Sequence, residues 1–265
     1  MTTRPMPQAI VVGSGKGGVG KSVTAIAVAA ELAAQGRRVL LLDGSQNLGS
    51  LHVMLGVQPV LSLESLIDSP MSPTELTSPV APNLWLLPSE SGSELLHGLD
   101  ATDRARLQRR LSGLFDQYDA TVIDAGAGLE SVVRCAAMRA TRLLVVTTPD
   151  PAALSDAYAL IKITSLQVGS LPIDVVVNRV RDENEGRARY ERLASAAERF
   201  LRRGVRYLGA VPEDSAMRDA IESPERLLAP DGSPALAALR RLTATRLDLP
   251  PFLRLETVET TGEDA

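Results

Sequence analysis

Short apolar runs alternate with longer segments of helical periodicity along most of the chain. The apolar runs predict strands at 9–12, 39–42, 85–87, 120–123, 143–147, 173–178 and 206–210. They are continuous instead of alternating, which is typical of strands buried on both faces of a parallel sheet. Helical patterns fall between them, at 23–35, 51–55, 61–67, 100–118, 131–140, 151–165, 185–201 and 233–246. This order predicts an α/β fold, a doubly wound and mostly parallel sheet with helices on both faces.

The pattern weakens in one internal region and at both ends. Prolines interrupt the stretch between Gly44 and Pro88, where only short helical segments are predicted. Residues 248–265 contain one Arg against five acidic residues. We therefore predict one domain over 9–247, a flexible lead-in over 1–8 and an acidic, disordered tail over 248–265.

Composition excludes several classes of function. The 265 residues are 45% hydrophobic, and the formal net charge is −4. Because this net charge is negative, the chain as a whole is not attracted to nucleic acid or anionic lipid. Cys135 is the single cysteine, which excludes a disulfide framework and a four-cysteine metal site within one chain. The sequence shows no signal peptide and no apolar run long enough to span a bilayer. These features predict a cytoplasmic protein.

The first strand and first helix are joined by a glycine-rich loop that fits the phosphate-binding pattern G-x-x-x-x-G-K-[ST]. Its glycines let successive N–H groups face inward, and the helix N-terminus adds the positive end of its dipole. Lys21 is expected to reach the β- and γ-phosphates of ATP, and the Ser22 hydroxyl to ligate Mg²⁺. The residues predicted to line the nucleotide are Gly15, Lys16, Gly17, Gly18, Val19, Gly20, Lys21, Ser22 and Val23.

A second lysine in this loop makes the motif more specific. The chain has only three lysines, Lys16, Lys21 and Lys162, so two of the three lie here. The loop resembles the deviant Walker A motif, KGGxGK[ST], of the SIMIBI-class MinD/ParA ATPases. The resemblance implies an ATP-dependent homodimer in which Lys16 crosses the interface and contacts the phosphates bound by the other subunit.

Two predicted strands end in carboxylates. Asp124, followed by glycines, is expected to hold Mg²⁺ through water, and Asp43 is the second predicted metal and catalytic residue. In the MinD/ParA family the Asp43 segment usually reads D-x-D, and its second Asp helps position the attacking water. Ser45 stands there instead, and a hydroxyl cannot act as a base at neutral pH. Slow ATP hydrolysis and a non-hydrolysing ATP-binding switch both remain open, with Ser45 and Gln46 as the candidate groups for positioning water.

The adenine base is expected at the end of another strand. Asn178 follows the apolar run 175–177, and its amide offers the donor and acceptor that suit an adenine edge. In the resembling family this Asn contacts the base, with the segment that holds Pro212 and Glu213 near it. A capping Asn is the structural alternative.

Within that family, the chain most resembles the FlhG/FleN (YlxH) regulators of flagellar number. This narrower resemblance rests on the segments 124–128, 147–151 with 156–162, 177–181 with 185–186, and 208–214. The implied partner is a flagellar regulator or assembly protein. A transcriptional activator is favoured over the flagellar GTPase FlhF, because the eight residues ahead of the first strand leave no room for the helix that stimulates FlhF.

Alternative functions depend on what the surface of the protein contacts. A ParA-like partition or MinD-like division-site ATPase would share this site, but DNA is not expected as a partner because glutamates are interleaved with the arginines of 187–203. The segment 235–247 carries three arginines and could contact the inner face of the plasma membrane peripherally, although the acidic tail opposes this and core packing is favoured. Cys135 is expected to be a small buried hydrophobe, and His52 and His97 surface or capping residues.

Overall fold

A computed structural model describes residues 7–45, 49–59, 61–63, 65, 72–89, 100–126, 128–136, 139–247 and 249. Its centre is an eight-stranded sheet in the order β3-β4-β2-β5-β1-β6-β7-β8. All neighbouring strands are parallel except β3 and β4, so the predicted doubly wound, mostly parallel sheet is confirmed. The strands are β1 (Gln8–Gly13), β2 (Val39–Gly44), β3 (Ser78–Ala81), β4 (Leu84–Leu87), β5 (Ala120–Ala125), β6 (Arg142–Thr147), β7 (Ile173–Val180) and β8 (Arg206–Pro212).

Helices cover both faces of this sheet. Those in the described part of the chain are α1 (Lys21–Ala34), α2 (Leu51–Met54), α3 (Ala101–Phe115), α4 (Leu129–Ala136), α5 (Pro151–Gln167), α6 (Glu183–Leu201), α7 (Met217–Ile221), α8 (Pro224–Leu228) and α9 (Pro234–Arg246). A 3₁₀ helix spans Pro73–Leu76.

Two apolar clusters, one on each face, hold the layers together. Successive strand residues point to opposite faces, so Ile10 and Val12 join one cluster and Val11 joins the other. The first cluster packs α1, α2, α8 and α9 against the sheet. The second packs α3, α4, α5 and α6. Because both faces are covered, the strands had to be apolar throughout, which explains the continuous runs in the sequence.

The helices begin where the sequence supplies capping groups. The side chains of Asp150, Asp182 and Ser233 accept hydrogen bonds from backbone N–H groups in the first turns of α5, α6 and α9. Pro151 and Pro234 occupy first helical positions, where a missing N–H costs nothing. These caps fix where three of the helices begin.

Several predicted boundaries are corrected by the structure. The helix predicted at 131–140 begins earlier, at Leu129, and cannot continue to residue 140 because Arg139 has a left-handed φ of 58°. The strand β3 was not predicted, since Pro79 interrupts its pattern and it pairs only at the sheet edge. Residues 1–6, three residues of the helix predicted at 61–67 (64, 66 and 67) and nearly all of the predicted tail lie outside the described residues, so those expectations remain predictions.

Candidate functional site

The glycine-rich loop lies at the carboxyl end of β1, between the central strands β5 and β6. Ligands of open α/β sheets bind at this edge. Gly18 and Gly20 adopt left-handed φ angles of 75° and 94°, so the loop requires glycine there. Gly20 is the N-cap of α1, and the first N–H groups of that helix therefore face the loop.

Gly15 is required for a different reason, which is a close approach between two elements. A Cβ at Gly15 would lie 2.3 Å from the backbone oxygen of Asp156 in α5. The Ser14 hydroxyl also donates to the Lys16 carbonyl at 2.8 Å and closes the turn locally. The loop is thus held against α5, and Lys16 leaves it toward the start of that helix.

Lys21 and Asp124 meet inside the loop. The Lys21 Nζ lies 3.3 Å from Asp124 Oδ1, and the side chains are 12% and 1% exposed. Burial raises the pKa of Asp124, while the Lys21 ammonium and a hydrogen bond from Ser22 oppose that rise. The structure therefore brings together three residues that the sequence predicted for phosphate and metal binding.

Asp43 lies beside Asp124, because their two strands pair with these residues in register. It is fully buried, and both of its carboxylate oxygens accept backbone hydrogen bonds. Oδ1 accepts from the Ser45 N–H at 3.0 Å, and Oδ2 accepts from the Leu51 N–H at 3.2 Å. The Ser89 hydroxyl donates to the Ser45 carbonyl at 2.7 Å. Asp43 therefore organises the loop after β2, a role that the sequence analysis did not foresee.

Lys16 forms an ion pair with Asp150 at the mouth of the loop. The side chains are 42% and 44% exposed, so both groups are in contact with solvent. Hydrogen bonding from Lys16 and from the Ala152 backbone holds the pKa of Asp150 below its ordinary value. Asp150 was not among the predicted site residues. Its position just before Pro151, at a strand end that faces the loop, is the signal that could have found it.

Asn178 connects the loop to a neighbouring cavity. Its Nδ2 donates to the Val19 carbonyl at 2.8 Å, and its Oδ1 accepts from the Arg179 N–H at 2.9 Å. A Cβ at Gly20 would lie 2.3 Å from that Nδ2. The side chain is thus fixed by the loop while it also lines the cavity, and the N-cap of the next helix is Asp182 instead of Asn178.

This cavity has a volume of about 820 Å³ and is lined by the predicted Gly20, Val23, Asn178, Pro212 and Glu213. Asp214, the next residue of the same segment, is a structural member of its wall. Asp214 accepts from the Ala235 N–H at 3.0 Å and from the Ala216 N–H at 2.9 Å, so it ties α9 to the loop after β8. A second cavity of about 400 Å³ lies on the other side of the loop, beside Lys16, Gly17, Gly18, Val19 and Asp150.

The remaining predicted residues lie away from the loop or outside the described chain. Cys135 is buried at 4% exposure and packs in an apolar cluster, as predicted. His52 lies in α2, and His97 is outside the described residues. In α6, Arg187 and Arg189 pair with glutamates one turn earlier.

The helix α9, the candidate for membrane contact, lies against α1. Most of its residues are buried, and even Arg240 is 6% exposed and pairs with Glu31 of α1. No helix in the described part of the chain is long and apolar enough to cross a membrane.

Comparison with known proteins agrees with this geometry. Residues 10–227 match the family model described as the CobQ/CobB/MinD/ParA nucleotide binding domain. The antiactivator FleN of Pseudomonas aeruginosa is 32% identical over 215 residues, which cover 81% of this chain and 77% of that protein. The flagellum site-determining protein YlxH of Helicobacter pylori is 32% identical over 210 residues, 79% of this chain and 71% of that protein.

Solved structures show the same fold. The septum site-determining protein MinD of Pyrococcus horikoshii, complexed with Mg-ADP, superposes with a TM-score of 0.73 at 23% identity, and the match covers 91% of this chain and 97% of that one. The sheet order, the loop after β1 and the matched residues lead to one conclusion. The chain belongs to the CobQ/CobB/MinD/ParA nucleotide-binding family.

Proposed function

We propose that this chain is an ATP-dependent switch that binds ATP with Mg²⁺ at the loop after β1. The observation that carries the proposal is the Lys21–Asp124 pair, which lies at 3.3 Å between the loop and the end of β5. Lys21 would bind the β- and γ-phosphates, and the loop from Gly15 to Ser22 would donate its N–H groups to the phosphate oxygens.

The residues present fit a magnesium ion. Mg²⁺ commonly keeps several waters and takes only one or two carboxylates with the substrate phosphates, which matches a site built from Ser22, Asp124 and Asp43. The burial that raises the pKa of Asp124 also makes a cation favourable beside it. When bound, the ion would neutralise charge on the phosphates.

The adenosine part of ATP would lie in the cavity of about 820 Å³. Asn178 and the wall formed by Pro212 and Glu213 are the proposed contacts to the base. The Asn178 amide is already hydrogen-bonded to the loop. A single side chain would therefore contact both the adenine base and the loop. Nucleotide binding would therefore stabilise the loop and the cavity together.

Dimerisation would depend on Lys16. Its ammonium is at the surface and pairs with Asp150, which is itself exposed. An ion pair exposed to solvent contributes little stability, so breaking it to form another contact costs little free energy. Lys16 would leave Asp150 and contact the phosphates bound by a second subunit, giving a homodimer that forms with ATP.

The residues expected to support hydrolysis differ from the usual family pattern at Ser45. Both Asp43 oxygens accept backbone hydrogen bonds, and Ser45 supplies a hydroxyl in place of a second carboxylate. We propose slow turnover, in which Ser45 helps to position water. The second candidate function is a non-hydrolysing nucleotide sensor, favoured by the engagement of both Asp43 oxygens with the backbone.

The biological role is proposed from the curated relatives. One relative is named as an antiactivator and another as a flagellum site-determining protein. We propose that the ATP-bound dimer regulates flagellar number, placement or gene expression by binding a flagellar transcriptional activator. The proposed location is the cytoplasm, with any membrane contact peripheral.

The test is single-turnover hydrolysis of ATP with Mg²⁺ by wild type, Ser45→Asp and Lys16→Ala. Wild type is expected to cleave ATP slowly, and Lys16→Ala to lose cleavage. Lys162→Ala is the matched control, since Lys162 is the remaining lysine and is exposed on α5. Cleavage by Ser45→Asp but not by wild type would establish the non-hydrolysing sensor instead. Failure of wild type to bind ATP would contradict both functions.

A further inference from the structure

Arg179, near the end of β7, has a backbone conformation that its side chain disfavours. Its φ angle is 57°, in the left-handed region that favours glycine. The pairing of β7 with β8 shows where the chain departs from a regular strand. Val177 pairs with Ala210. The next pair is Val180 with Pro212, so β7 contains one residue more than β8 over this stretch. Arg179 therefore lies in a β-bulge, a feature that often directs a side chain toward a functional site.

The same two strands contain another shift of register, and there the chain uses glycine. This shift falls between Tyr207 and Gly209, and Gly209 has a positive φ of 155°. Arginine at the bulge of β7 costs free energy that glycine would not cost. Residues held in this way cluster at ligand-binding sites, where contacts with the ligand offset the backbone cost. The choice of Arg179 over glycine therefore points to a contact made by its side chain.

Arg179 lies where the two cavities beside the phosphate-binding loop meet. It lines the cavity of about 820 Å³, proposed above for adenosine, and also the cavity of about 400 Å³ beside Lys16. Its backbone N–H donates to Asn178 Oδ1 at 2.9 Å, and the Asn178 amide donates to the Val19 carbonyl at 2.8 Å. The backbone that carries Arg179 is therefore fixed to the loop.

The guanidinium group of Arg179 is available to a ligand. In the part of the chain that the structure describes, it forms no ion pair and no hydrogen bond, and the residue is exposed. Arg181 lines the same smaller cavity but differs in this respect. Its Nε and Nη2 donate to the two carboxylate oxygens of Glu185, each at 3.2 Å. Of these two arginines, Arg179 is therefore the one that can bind a ligand without breaking a contact.

We propose that Arg179 binds the nucleotide base, with its planar guanidinium stacked on the face of the ring whose edge Asn178 contacts. This inference rests on the proposed function, because it requires ATP in the larger cavity. Guanidinium groups stack on the faces of nucleobases, and every base has such a face. Arg179 would therefore add affinity for purine nucleotides without distinguishing ATP from GTP. The Asn178 amide would make that distinction.

The experiment combines calorimetric titration with thermal unfolding of wild type, Arg179→Ala and Arg179→Gly. The ligands are ATP, GTP and inorganic tripolyphosphate, each with Mg²⁺, because tripolyphosphate has the phosphates but no base. Arg202→Ala and Arg202→Gly are the matched controls. Arg202 is also an exposed arginine with a left-handed φ, which is 50°, but it is the C-cap of α6 and lines neither cavity.

We expect both Arg179 variants to bind ATP and GTP about 3-fold to 10-fold more weakly than wild type, the size of a cation–π contact. Their affinity for tripolyphosphate should match that of wild type. Arg179→Gly should also unfold about 1–3 °C higher than wild type, because glycine relieves the backbone. Its weaker binding could then not be attributed to a damaged fold. Arg202→Gly should be stabilised similarly, and both Arg202 variants should bind all three ligands as wild type does.

Two results would overturn the proposal while the proposed function stands. One is that both Arg179 variants bind ATP as wild type does, while Lys21→Ala loses binding. The other is an equal loss of affinity for tripolyphosphate, because Arg179 would then contact the phosphates instead of the base. If wild type itself binds none of the three ligands, the proposed function fails and this inference fails with it.

Discussion

Two neighbouring strand ends present a carboxylate at the same height in the sheet and use it differently. Asp43 at the end of β2 and Asp124 at the end of β5 are register partners, and both are buried. Asp124 meets the ammonium of Lys21 and the hydroxyl of Ser22. Asp43 instead accepts hydrogen bonds from the Ser45 and Leu51 backbone.

The difference shows that the two carboxylates at this edge of the sheet have different structural surroundings. The pair at Asp124 holds charges that a phosphate and a cation would meet, so its partners can change when a ligand arrives. The hydrogen bonds at Asp43 fix the loop that carries Ser45. Breaking them would therefore lower the free energy of unfolding of the protein without nucleotide. Both carboxylates belong to the proposed magnesium site, but Asp43 also supports a loop through its backbone hydrogen bonds, and Asp124 instead meets Lys21 and Ser22.

The largest expected effect comes from Lys21→Ala. It removes the proposed phosphate contact and leaves Asp124 buried beside no compensating cation. ATP affinity should fall by about 100-fold to 1,000-fold, or roughly 3–4 kcal/mol. Calorimetric titration with ATP and Mg²⁺ measures this. The control is Lys162→Ala, which should bind like wild type, and equal affinity of the two variants would contradict the role of Lys21.

Asp43→Ala should act mainly on stability. Two backbone N–H groups, one of them buried, lose their acceptor, at about 1–3 kcal/mol each before relaxation. We expect the free energy of unfolding without nucleotide to fall by about 2–4 kcal/mol in urea titrations. Asp231→Ala, at an exposed aspartate, is the control and should change little. A variant as stable as wild type would show that Asp43 does not support the loop.

Asp124→Asn should act mainly on the metal. Asparagine keeps the shape and loses the charge that would hold Mg²⁺ through water. The gain in ATP affinity on adding Mg²⁺ should shrink by about 10-fold to 100-fold. Titrations with Mg²⁺ and with EDTA separate this from the affinity for ATP alone. An unchanged Mg²⁺ dependence would remove Asp124 from the metal site.

The smallest expected effect is that of Asn178→Ala. The Val19 carbonyl loses its hydrogen bond at 2.8 Å, which should lower stability by about 1 kcal/mol. ATP should bind a few-fold more weakly, while GTP should be affected less because the amide is proposed to contact adenine. Thermal unfolding and competitive titration measure the two effects. Equal losses for ATP and GTP would leave Asn178 with a structural role alone.

The sequence predicted the parts of this site that depend on local pattern. A glycine-rich loop between an apolar run and a helix locates Lys21 and Ser22, and the order of strands locates Asp124 at the same edge. These predictions need only short-range geometry and the rule that parallel strands end together. The fold class was predictable for the same reason, since both faces of the sheet must be covered.

The sequence could not predict the contacts that join distant segments. Asp150 meets Lys16 across 134 positions of sequence, and the hydrogen bond from Asn178 to Val19 spans 159. The occupation of Asp43 by backbone groups depends on the path of the loop to Leu51, where the pattern is weak. Such contacts follow from tertiary packing, which pattern and spacing alone leave open.

The central claim is that ATP and Mg²⁺ bind at this loop and drive dimerisation through Lys16. The most direct test is the mass in solution of wild type and Lys16→Ala, measured by sedimentation velocity with ATP, with ADP and without nucleotide. The account predicts a dimer only for wild type with ATP, and monomers for Lys16→Ala in all three conditions. A wild-type mass that does not change with nucleotide, or a Lys16→Ala variant that dimerises as wild type does, would contradict it.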